Sequence, residues 1–216
     1  MKYPVEKVLD KKYIRVFDIQ YQEGKHYYDS SRRDESELMF LCAEQEARTV
    51  IPDAVSCEVV LEQSNEDPLL LMAREYRYPV GRYLLSPPAG LIDVEDRQLG
   101  RDEAIRNTAI RELKEETGIT FKKDDLFEVI NPLLLSSPGM TDECNAMVRM
   151  IIYNVDLAEL TQAGCVGSEL FDGFELLTVE DAERIMTQGC DDRGIFYSTY
   201  TWIALADFVR NYGKDR

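Results

Sequence analysis

Histidine and tryptophan are nearly missing from this 216-residue chain, which has one of each, His26 and Trp202. A single histidine leaves little room for a Ser-His-Asp triad and none for a multi-histidine metal site. The five cysteines (Cys42, Cys57, Cys144, Cys165, Cys190) include no C-x-x-C pair and are odd in number, so neither a zinc site nor a disulfide framework is expected. No apolar run approaches the ~18 residues of a membrane helix, and the opening residues lack the apolar stretch of a secretory signal. A soluble cytoplasmic protein is the expectation. Positive charge is scarce too: 25 Lys plus Arg stand against 41 Asp plus Glu, a net charge of −16. That surface repels a nucleic-acid backbone, but a small anion is admissible where a metal ion and a few arginines neutralise the site. Carboxylates are left as the groups to run any chemistry.

Alternating apolar positions predict a strand over Tyr13 to Tyr21, and Leu38 to Cys42 also reads as β-like. The polar run from Asp29 to Glu35 reads as a loop. Two apolar runs, 54 to 61 and 69 to 73, flank a turn and predict a hairpin. A helix is expected from about Asp102, a plausible N-cap, to Thr117, with Gly118 placed for a left-handed terminus. Strands near 126–135, 146–155 and 173–178 and helices near 179–188 and 200–212 complete an α/β sandwich pattern.

Within the first helix, Glu112, Glu115 and Glu116 stand at i, i+3 and i+4 and so project from one face. Such a trio repels itself unless it shares a cation, although glutamate-rich exposed helices are common. Hard divalent ions such as Mg²⁺ or Mn²⁺ take carboxylate oxygens and keep waters for substrate phosphates. Arg111 can orient one glutamate from the flank.

The segment Glu103, seven residues, then Arg111-Glu112-Leu113-Lys114-Glu115-Glu116-Thr117-Gly118-Ile119 resembles the Nudix box, G-x5-E-x7-R-E-U-x-E-E-x-G-U, with U a bulky apolar residue. The box's opening glycine is replaced by Arg97. Gly90, in Pro87-Pro88-Ala89-Gly90-Leu91-Ile92-Asp93, looks like its counterpart, leaving an insertion of about seven residues, Val94 to Gly100. Arg74-Glu75-Tyr76-Arg77-Tyr78-Pro79 and Ser136-Ser137-Pro138-Gly139 resemble segments of the ADP-ribose and nucleotide-sugar pyrophosphatase branch.

The resemblance implies a Nudix-type α/β/α sandwich with a mixed sheet over residues 49–216. It also implies a small N-terminal β subdomain, 1–48, that helps build a homodimer. Glu112, Glu115, Glu116 and the Ala89 carbonyl are implied as ligands of Mg²⁺ or Mn²⁺, and Arg77 and Glu103 as substrate contacts. Arg77 also reads as an ordinary surface arginine. Tyr27 and Tyr28 could stack on a base, across a dimer, or simply pack. The general base is expected from Glu169, in a loop whose glycines allow closure, with Glu143 as the alternative. The expected reaction is hydrolysis of ADP-ribose or another nucleoside diphosphate sugar. Hydrolysis of nucleoside triphosphates or dinucleoside polyphosphates, or a non-hydrolysing nucleotide sensor, remain alternatives.

Overall fold

In a computed structural model, residues 4–44, 46–165 and 169–213 are described. Residues 5–31 carry an antiparallel sheet of β1 (Val5–Lys11), β2 (Ile14–Gln22) and β3 (Lys25–Ser31), in that order. The strand expected over 13 to 21 is β2. Two expectations here need correction. The polar run from Asp29 begins inside β3, where Asp29 accepts a hydrogen bond from the Asp142 amide. The Leu38–Cys42 stretch is a 3₁₀ turn, not a strand. Leu38 alone of this stretch is fully buried, and Asp142 accepts from the Met39 amide, so no partner strand is needed.

The main sheet follows: β4 (Ala54–Glu62), β5 (Leu69–Arg77), β6 (Arg82–Ser86), β7 (Ala89–Leu91), β8 (Leu126–Leu135), β9 (Cys144–Tyr153) and β10 (Phe171–Leu177). Its backbone order is β10-β5-β4-β9-β8, with β6 on β5 and β7 on β4. Only β4 and β9 run parallel among these pairs, so the sheet is mixed. The predicted hairpin is β4 with β5.

Helices cover both faces. α2 (Arg101–Thr117), preceded by the short α1 (Val94–Arg97), packs Ala104, Ile105, Ala109 and Leu113 on Val55, Cys57 and Val59 of β4. α3 (Val179–Gln188) and α4 (Thr199–Tyr212) pack on Val60, Leu70 and Met72 from the other side. A central strand covered on both faces reads as a continuous apolar run rather than a strict alternation, which is the character of β4.

The insertion is α1 itself, tied to α2 where the Asn107 amide donates to Asp96. The N-cap of α2 is Gly100, not Asp102. Gly100 has φ +91°, which turns the chain sharply from α1 into α2, and Asp102 falls in the first turn, where negative charge suits the helix dipole. Gly118 closes the helix at φ +77°, as its sequence position predicts.

Candidate active site

A cleft of about 590 Å³ is lined by Glu75, Arg77 and Glu169 together with Arg32, Glu143 and Asn145. Its base runs along β7, at Ala89 and Gly90. Beneath β7 lies α2, whose pitch brings Glu112 and Glu116 to the sheet while leaving Glu115 half-buried. Glu112 is 6% exposed and Glu116 3%.

These carboxylates are packed against backbone. The Ala89 amide donates to Glu116 Oε2 at 3.3 Å. A Cβ added to Gly90 would stand 1.8 Å from Glu112 Oε1, so the glutamate fills the space any other residue would need. Arg111 donates to Glu112 Oε1 (2.6 Å) and Glu115 Oε2 (3.3 Å), and its other terminal nitrogen reaches the Leu91 carbonyl at 2.9 Å. That arginine therefore holds the carboxylate face to β7.

Burial raises the Glu112 carboxyl to about 7, opposed by Arg111 and assisted by the charges of Glu115 and Glu169. Burial lifts Glu116 well above the carboxylate range, and Glu112, Glu75 and Glu169 push it further. Glu75 is raised as well, mainly by burial, with Arg77 opposing through a 2.5 Å ion pair and Glu169 adding to the rise. Four glutamates from β5, α2 and the segment before β10 thus share one field. Among the described residues, no three His, Cys, Asp or Glu already stand in a geometry that holds a cation. The donor set nevertheless suits one: hard oxygen ligands, buried and short of positive charge, beside a backbone cradle that only glycine permits.

Glu75 was not singled out in the sequence, where it is one charge in Arg74-Glu75-Tyr76-Arg77. Strand alternation was the available signal. Arg74 points to the other face and is buried against Glu175 and Asp191, leaving Glu75 to the cleft. Arg32 was likewise hidden in a polar run, and it reaches Glu143 at 3.2 Å. It does so because β3 docks on the Ser-Pro-Gly segment: Tyr27 donates to the Gly139 carbonyl, and the Ser30 amide to that of Met140.

Glu169 is exposed at the cleft. The expectation of a glycine-hinged loop falls partly on Gly167, which lies outside the described residues. Gly164 is packed rather than free, since a Cβ there would meet the Glu115 carbonyl at 2.6 Å. Two expected contacts stand apart from the cleft. Glu103 is exposed on the first turn of α2, and Tyr28 is 59% exposed on β3.

A mixed sheet between helical layers, with a buried glutamate pair under a glycine-bearing strand, defines an α/β/α sandwich with a carboxylate-rich site. Residues 50–196 match the NUDIX domain, and the chain belongs to the Nudix family. It is 34% identical over 104 residues to the mouse ADP-sugar pyrophosphatase, covering 48% of this chain and 42% of that protein. It is 28% identical over 135 residues to the ADP-ribose pyrophosphatase of Bacillus subtilis, covering 62% and 63%. The chain thus matches less than two thirds of the length of either relative. The crystal structure of an ADP compounds hydrolase superposes with a TM-score of 0.51 at 16% identity, covering 98% of this chain and 95% of that one, a likeness of fold.

Proposed function

We propose that this protein hydrolyses the pyrophosphate bond of ADP-ribose or a related nucleoside diphosphate sugar, giving a nucleoside monophosphate and a sugar phosphate. The observation that carries the reading is the buried pair Glu112 and Glu116 of α2, set against the Ala89-Gly90 base of a cleft that Glu75, Glu169 and Arg77 line. The names of the mouse and Bacillus relatives support the substrate class.

In this reading Glu112 and Glu116, joined by Glu115 and the Ala89 carbonyl, hold Mg²⁺ or Mn²⁺. When bound, such an ion neutralises phosphate charge and lowers the pKa of a coordinated water. The chain's own residues do the rest. Arg111 orients Glu112 and Glu115. Arg77 neutralises a phosphate oxygen. Glu169, at the open side of the cleft, takes the proton from the attacking water. Glu143, paired with Arg32, is the second candidate for that proton.

A homodimer in a cytoplasmic setting belongs to the same reading. It is supported by the apolar residues left exposed on the N-terminal sheet, Val8, Tyr13, Ile14 and Tyr21. No helix among the described residues is long and apolar enough to cross a membrane. Tyr28 would meet substrate across such a dimer, and Glu103 lies on the first turn of the same helix as the buried glutamates.

The test is turnover of ADP-ribose, several ADP-, UDP- and GDP-sugars and nucleoside triphosphates in Mg²⁺ or Mn²⁺. A diphosphate sugar is expected to be the best substrate. Preference for a triphosphate would contradict the substrate class, and binding of ADP-ribose without turnover would make the protein a sensor.

A further inference from the structure

In the lining of the cleft two neutral side chains lie together. Ser56 on β4 is 2% exposed and Asn145 on β9 is 8% exposed, and both line the cavity. Neighbouring Val55, Cys57 and Ala146 pack toward α2, so strand alternation turns Ser56 and Asn145 to the opposite face. There the cleft is closed by Ser198 and Tyr200 at the start of α4. Asn145 Nδ2 donates to Ser56 Oγ at 3.0 Å, while Asn145 Oδ1 is buried and has no hydrogen-bond partner among the described residues. Native structures leave few buried polar atoms unpaired, and those that line a cavity are candidates to be completed by a ligand.

We infer that Ser56 and Asn145 form a subsite for a sugar hydroxyl of the substrate. Asn145 Oδ1 accepts the hydroxyl proton, and the Ser56 hydroxyl, already an acceptor from Asn145, donates its own proton to the ligand oxygen. The pair therefore suits a neutral group that gives one hydrogen bond and takes one, as an alcohol does. An anion would face the Oδ1 lone pairs, and a cation is better served by the carboxylates elsewhere in the site. A flat apolar base is better matched to the rim, where Tyr78 and Val80 are exposed beside Pro79.

The inference rests on reading the cleft as a nucleotide-sugar site, and it leaves two riboses as sources of the hydroxyl. Binding of ribose 5-phosphate, AMP and inorganic phosphate, each in Mg²⁺, is measured by NMR titration of the wild type, Asn145→Leu and Ser56→Ala. Asn145→Leu is expected to weaken one ribose-bearing ligand about tenfold, the scale of one buried neutral hydrogen bond. Ser56→Ala, a mild change that keeps the fold, weakens the same ligand by less. Inorganic phosphate should change less than twofold. The ligand affected identifies the ribose that occupies the subsite. Equal loss for all three ligands, no loss for any, or a wild type that binds neither ribose would overturn the inference. Because these titrations need no turnover, failure to hydrolyse ADP-ribose would remove the proposed reaction without deciding the subsite.

Discussion

Glu116 is the most confined charge of the cleft, held by the Ala89 amide and surrounded by other carboxylates. Its cost in the absence of a cation and its value in the presence of one lead to opposite predictions. Without divalent metal, Glu116→Gln should hold or raise the melting temperature, because a buried group crowded by like charge becomes neutral. With Mg²⁺, the wild type should gain stability by linkage and the variant should gain little, while turnover falls by about three orders of magnitude or more. Gly90→Ala provides a steric probe of the same group. Its methyl would displace the Glu112 carboxylate, and activity should drop at least about tenfold with a folded protein by circular dichroism. The glutamate face was legible in the sequence because i, i+3, i+4 spacing is a property of the helix alone. Glu75 and Arg32 were not, since the register of β5 and the docking of β3 bring them to the cleft.

Between elements, buried ion pairs tie strands to helices. Arg149 of β9 meets Glu58 of β4, Glu128 of β8 and Asp207 of α4, and Arg210 also reaches Asp207. Glu58 is fully buried, and desolvation raises its carboxyl from 4.5 to about 7 despite Arg149. The folded state therefore keeps a proton that the unfolded chain has lost. Stability from this group is full below about pH 4.5, declines as pH rises through about 7, and is flat beyond. Urea midpoints between pH 5 and 8 should fall less for Glu58→Gln than for the wild type, and an identical slope would contradict the assignment. A second pair joins the segment after β3 to the main sheet: the Arg33 guanidinium donates to both Asp53 oxygens at 3.0 and 2.9 Å. Arg33→Met should cost about 3–5 kcal/mol in chemical denaturation by stranding a buried carboxylate. Arg97 at 3.6 Å from Asp53 moderates the loss. Sequence periodicity located most elements, yet it could not show that Leu38–Cys42 lacks a partner strand or that Gly100 rather than Asp102 starts α2.

Across the molecule, the cleft draws on both halves of the chain. β5, β7 and the segment before β10 supply part of its lining, and β9, α4 and Arg32, just after β3, supply another part. This long-range assembly explains why the Nudix box could be read from one local stretch and the proposed polar subsite could not. Asn145 and Ser56 are 89 residues apart and meet only because β4 and β9 run side by side. The buried glutamates of α2 are proposed to form a divalent-cation site. Mn²⁺ binding followed by electron paramagnetic resonance tests it directly, with wild type, Glu112→Gln and Glu116→Gln compared at equal protein concentration. Saturable binding by the wild type that is strongly weakened in both variants is the predicted result. Equal Mn²⁺ affinity in all three proteins would contradict it.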